Sequence, residues 1–137
     1  MGKYYLDRPA LPAQALTVNT SALTAIGNDY AYDQVFSRQI EAFGQAGDVA
    51  IGISTSGNSR NVIEALRAAK RKDLLTIGLT GESGGELKAQ VDYCICVPSR
   101  DPPRIQEAHI LVGHILSELV EQAIFGGSNG QHRDPRT

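Results

Sequence analysis

The apolar run Asp48-Val49-Ala50-Ile51-Gly52-Ile53 passes without a break into Ser54-Thr55-Ser56-Gly57-Asn58-Ser59, and a helix-like segment, 61–72, follows at once. A strand, a hydroxyl-rich turn and a helix in that order leave few folds open and suggest a site. Gly57 lets a ligand approach the backbone closely. The first N–H groups of the helix point back at the turn, and the helix dipole adds partial positive charge there. The turn holds no lysine, so it is not the nucleotide P-loop, whose pattern requires Gly-Lys-Ser/Thr. The plainer reading is that Asn58 or Ser59 caps the helix. A cap needs one such residue, whereas Ser54, Thr55, Ser56, Asn58 and Ser59 all carry hydrogen-bonding side chains. The turn therefore reads as a phosphate or sugar-phosphate site.

Four apolar runs, 13–18, 49–53, 74–79 and 93–97, are short and continuous rather than alternating. Helix-like segments separate and follow them at 32–44, 61–72, 85–90 and 103–125. This pattern predicts an α/β fold with a doubly wound parallel sheet covered on both faces. Pro102-Pro103 opens the last helix and Gly126-Gly127 closes it. The 137 residues suit one domain, taken as residues 1–125, with a polar, disordered tail over 126–137.

A net charge of −2 gives no sign of a nucleic-acid-binding surface. No apolar run approaches the ~20 residues of a membrane span, and the first residues lack an apolar signal-peptide core. The expectation is a cytoplasmic protein without membrane or direct nucleic-acid partners. Cys94 and Cys96, the two cysteines of the chain, share one face of a strand. With no third thiol to complete a thiolate metal site, they read as reduced packing residues.

The last helix is apolar over more than one stripe, with Ile105, Ile110, Leu111, Val112, Ile115, Leu116, Leu119, Val120, Ile124 and Phe125. A helix on a small sheet needs a single apolar stripe of roughly 100°. The excess predicts a subunit interface. Gln106, Glu107, His109 and His114 lie among these apolar residues, and a structural and a functional reading of them stay equally open.

Five motifs carry a family resemblance: Leu6-Asp7-Arg8-Pro9, Thr24-Ala25-Ile26-Gly27-Asn28-Asp29-Tyr30, Gly52 to Ser59, Leu79-Thr80-Gly81, and Arg104-Ile105-Gln106-Glu107-Ala108-His109. With them the chain resembles the sugar isomerase (SIS) domain family, and within it the sedoheptulose 7-phosphate isomerases, also called phosphoheptose isomerases. The resemblance implies a homotetramer that interconverts sedoheptulose 7-phosphate and D-glycero-D-manno-heptose 7-phosphate for heptose and lipopolysaccharide synthesis. It places the phosphate on Ser54, Thr55, Ser56 and Ser59, and Asn28 and Asp29 in the sugar pocket. Gln106 falls on a substrate-contacting and metal-ligand position. His114 falls on a metal-ligand and acid/base position, with zinc the implied ion.

In that family an N-terminal helix, a first strand, an Asn-Gly-Gly-Ser turn and a His-x-x-x-Glu helix precede the residues matched here. That block supplies two zinc ligands and the catalytic Glu, and Met1-Gly2-Lys3 aligns just after it. The expectations are an N-terminally shortened domain, two unpaired inner strand edges and no isomerisation by the chain alone. The family also has Asp, Glu or Thr where this chain has Pro103. Two other readings stay open: a tetrameric interaction protein that binds the bacterial replication initiator, and an inactive sugar-phosphate-binding fragment.

Overall fold

A computed structural model describes residues 2–126. They form two compact units, one of residues 15–109 and one joining residues 2–14 to residues 110–126. The tail expected to be disordered lies, from residue 127 on, outside the described residues.

The larger unit contains α1 (Thr20–Asp29), a 3-10 turn (Tyr32–Gln34), α2 (Ser37–Phe43), β1 (Val49–Ile53), α3 (Arg60–Arg71), β2 (Leu75–Thr80), a second 3-10 turn (Glu86–Ala89), β3 (Tyr93–Cys96) and the start of α4 (Pro102–Phe125). The strands are parallel in the order β1-β2-β3, with Ile51 opposite Ile77 and Ile77 opposite Tyr93. This is the α/β architecture expected from the apolar runs.

Helix α3 shows why the sequence folds as it does. Ile63, Ala65, Leu66, Ala68 and Ala69 recur at helical spacing and are buried. Leu66 and Val62 lie against Gly52 of β1, where a Cβ would come within 2.6 Å of Leu66. Lys70 and Arg71 in the last turn suit the negative end of the helix dipole. Asp73, at φ 60°, takes the left-handed conformation that ends the helix. Two small cores result. One joins Ile40 of α2 to Ala65, Ala68, Ala69 and Leu74, and the other joins Ile63 and Leu66 to Leu87.

Two expectations are corrected. Residues 13–18 form no strand and are mostly exposed. Prolines precede the run, no neighbouring strand is described for it to pair with, and Gln39 Nε2 instead holds the Leu16 carbonyl at 3.0 Å. The predicted helix 32–44 breaks into a 3-10 turn and α2. Among the described residues of the larger unit, α3 and the Leu87 turn pack on the same side of the sheet. Val49, Ile51, Ile53, Leu75, Tyr93 and Ile95 are exposed. Among the described residues β1 is an edge strand. Helix α1 is an addition that the periodicity did not suggest.

At the amino ends of the strands, Asp92 accepts from the Thr76 hydroxyl at 2.7 Å and the Thr76 N–H at 2.8 Å, and pairs with Lys70 at 3.2 Å. These bonds to the charged form lower its pKa to about 2.

In the smaller unit the Glu121 carboxylate is 2% exposed. It accepts from the consecutive N–H groups of Tyr4, Tyr5 and Leu6 at 3.0, 2.6 and 2.8 Å, and from Arg8 Nε at 2.7 Å. The Arg8 guanidinium also lies 5.6 Å from the Phe125 ring centroid. Burial disfavours the charge, but these donors outweigh it and hold the carboxyl at about 2. By length and composition α4 could cross a membrane, with one 18-residue window of mean hydropathy 1.2. At Glu121 this helix is held to its own chain by Tyr4, Tyr5, Leu6 and Arg8.

Candidate functional site: a hydroxyl cradle at the carboxyl ends of the strands

Strand β1 delivers the serine turn to the amino end of α3. The Ser54 hydroxyl, 5% exposed as a residue, lies 2.9 Å from Ser59 Oγ and 3.5 Å from Ser56 Oγ. Three hydroxyls from residues 54, 56 and 59 thus meet at one point. Ser59 occupies the cap position of α3, yet its side chain makes no capping hydrogen bond, so capping does not account for its hydroxyl. Asn58 is occupied structurally: its Oδ1 accepts from Glu86 N at 2.9 Å, and its own N–H donates to Ser56 Oγ at 3.1 Å. Thr55 is half-buried, and its carbonyl accepts from Gly81 N at 2.9 Å.

Gly57 explains how the turn stays tight. At φ 69° it sits back to back with Gly84-Gly85, and a Cβ there would lie 2.1 Å from the Gly84 carbonyl oxygen. Its carbonyl accepts from Leu87 N at 2.9 Å.

The turn forms one wall of an open cleft of about 520 Å³. Gly81, Glu82 and Ser83 after β2, and Ser99, Arg100 and Pro102 after β3, complete it. All three strands are parallel, so their carboxyl ends converge on one cleft, the usual ligand position in open α/β sheets. A second hollow at the amino ends includes Lys70 and Asp92 in its lining but no hydroxyl cluster.

The other sequence-predicted residues lie elsewhere. Asn28 and Asp29 are exposed at the end of α1, with Asn28 Nδ2 donating to Asp29 Oδ1 at 2.9 Å, and do not line this cleft. Gln106 is exposed on the second turn of α4. His114 is exposed farther along α4, its ring 6.2 Å from that of Tyr4. His109 is structural: it is 4% exposed, and its Nε2 meets the Thr80 carbonyl at 3.1 Å, anchoring α4 to β2. Among the described residues no group of three or more His, Cys, Asp or Glu side chains is placed to hold a metal. Gln106 and His114, eight residues apart, are separated by ~12 Å of helix axis and do not by themselves fit a metal shell. Cys94 and Cys96 are free thiols, partly buried, with sulfurs 3.7 Å apart. Burial pushes the Cys94 thiol pKa up. Sequence reasoning missed Glu82, Ser83, Ser99 and Arg100.

A parallel α/β sheet with a hydroxyl cluster at a helix amino end defines an open-sheet α/β protein with a cleft of the kind that can receive an anion. The family model described as "SIS domain" matches residues 1–81, and the chain belongs to that family. It is 57% identical over 126 residues to a phosphoheptose isomerase of Sulfurimonas denitrificans, covering 92% of this chain and 65% of the relative. The phosphoheptose isomerase structure from Neisseria gonorrhoeae matches with TM-score 0.77 and 54% identity, covering 78% of this chain and 61% of that one. The structure from Francisella tularensis matches with TM-score 0.82 and 40% identity, covering 84% and 62%. The chain thus spans less than two thirds of the length of each of these proteins.

Proposed function

We propose that this chain acts as a sugar-phosphate aldose–ketose isomerase that interconverts sedoheptulose 7-phosphate and D-glycero-D-manno-heptose 7-phosphate in the cytoplasm, for lipopolysaccharide precursors. The observation that carries the reading is the convergence of the Ser54, Ser56 and Ser59 hydroxyls at the amino end of α3, in a chain similar to phosphoheptose isomerases. The cradle grips the phosphoryl group through hydroxyls and helix-terminal N–H groups. Held at that end, the sugar presents C1 and C2 in a fixed position. Isomerisation moves a proton between these carbons through an enediolate, which calls for an acid, a base and oxyanion stabilisation.

His114 is the proposed acid/base group, since an imidazole ring can both donate and accept a proton. Asn28, Asp29 and Gln106 are the proposed sugar contacts, with Thr55 a further phosphate contact. Zinc is the ion the family resemblance implies, with Gln106 and His114 on two ligand positions; these two side chains, ~12 Å apart along the helix axis, do not by themselves hold it. A homotetramer is supported by the exposed apolar residues of α4, among them Ile110, Leu111 and Leu119 at 65, 60 and 54% exposure. Light scattering is expected to give a mass above that of one chain, whereas a monodisperse monomer would contradict this interface.

Calorimetric titration tests the grip. Sedoheptulose 7-phosphate is expected to bind, and sedoheptulose far more weakly. Ser56→Ala should weaken the phosphorylated sugar by about tenfold, the loss of one hydrogen bond to a charged group. Equal affinities for both sugars, or an unchanged Ser56→Ala variant, would contradict the site.

A further inference from the structure

The hydroxyl wall of the cleft meets the ligand with neutral groups. A phosphate monoester carries close to two negative charges at neutral pH, and a helix amino end supplies only a fractional positive charge. Among the residues lining the cleft, Arg100 is the single cation. It stands on the loop after β3, across from Thr55 and Ser56 on the loop after β1. Its backbone position is fixed: Glu82 N donates to the Ser99 carbonyl at 3.1 Å, and Asp101 N donates to Ser99 Oγ at 3.1 Å. Its side chain is 89% exposed and held by one partner, Glu82, through Nε and Oε2 at 2.5 Å. Glu82 is itself half-exposed. An exposed pair of this kind contributes little to stability, so exchanging Glu82 for a doubly charged phosphoryl group favours the latter. The guanidinium fork also matches two phosphoryl oxygens at once.

We propose that Arg100 is a further ligand of the phosphoryl group, facing the serine cradle from the opposite wall, and that Glu82 competes with the phosphate for it. The inference rests on the phosphate reading of the serine turn and deepens it. It makes a signed prediction that a plain loop brace does not. Arg100→Gln should weaken phosphate binding, while Glu82→Gln should strengthen it, because the variant frees Arg100 and removes a negative charge from the mouth of the cleft. Arg100→Lys should fall between wild type and Arg100→Gln, since it keeps the charge and loses the fork.

The experiment is calorimetric titration of the full chain and its variants at low salt, with inorganic phosphate and with sedoheptulose 7-phosphate as probes. Thermal melts confirm that each variant folds. Arg100→Gln is expected to lose about tenfold in affinity for both probes, and Glu82→Gln to gain about threefold. If Arg100→Gln and Glu82→Gln shift binding in the same direction, or not at all, while Ser56→Ala loses binding, Arg100 is a loop brace and the proposal falls alone. If Ser56→Ala leaves binding at the wild-type level, the phosphate reading of the turn falls, and this proposal with it.

Discussion

Glu121→Gln is expected to cost about 3 kcal/mol of folding stability, the scale for breaking a buried charge network by removing one partner. The carboxylate accepts from three consecutive backbone N–H groups and from Arg8. A glutamine in its place turns an amide NH₂ toward donors that need an acceptor. Few domains tolerate such a loss without partial unfolding, since net stabilities are ~5–15 kcal/mol. Urea denaturation checks this, and an unchanged midpoint would refute the clasp. The same group gives a pH signature. Its pKa lies at about 2 in the folded chain, below the ordinary 4.5, so its stabilisation is complete above 4.5 and is lost as pH falls toward 2. Asp92, lowered to about 2, adds a second loss at low pH. Melting temperature should therefore drop on acidification, less steeply in Glu121→Gln or Asp92→Asn than in wild type, and least in the double variant.

The second large effect is expected at Gly57. Gly57→Ala forces a side chain into φ 69° and sets its Cβ 2.1 Å from the Gly84 carbonyl oxygen. The conformational cost is ~1–2 kcal/mol, and overpacking adds ~1–3 kcal/mol. The opposing wall is backbone, so no side chain can swing away. The serine turn or the Gly84-Gly85 loop must move, and movement of the turn separates Ser56 and Ser59 from Ser54. Stability should fall by about 3 kcal/mol, and affinity for inorganic phosphate by more than tenfold. Denaturation and titration of the same sample check both. A variant that keeps both at wild-type values would show that the close approach of the two glycine turns is not required.

Much of the architecture was legible because strands buried in parallel sheets leave continuous apolar runs, and 49–53, 74–79 and 93–97 each became a strand. The run 13–18 looked the same and failed, since a strand also needs a neighbour, and pairing is not written in local composition. Helix α1 hid behind Thr20, Thr24 and Gly27, which blur a helical stripe. A signal was present in Asn19, whose side chain caps the helix by accepting from Ala22 N at 3.0 Å.

The serine cradle was legible because its hydroxyls are contiguous in sequence. The facing wall was not, because Glu82 and Arg100 are 18 residues apart and meet only once the sheet order brings the two loops together. Glu121 was equally hidden, as a carboxylate on an apolar helix whose partners lie more than 110 residues away. His109 resolved as a structural anchor because its ring nitrogen meets the Thr80 carbonyl. No pattern in the sequence separates it from His114.

In the proposed function, the turn from Ser54 to Ser59 and the amino end of α3 together form a phosphate cradle. Backbone NMR of this chain during titration with inorganic phosphate tests it most directly. Saturable shifts are expected in the amides of residues 55–62, with smaller ones at Glu82 and Arg100, and none at Thr76 or Asp92 at the far ends of the strands. Saturable shifts confined to other elements, or no response at the serine turn, would contradict it.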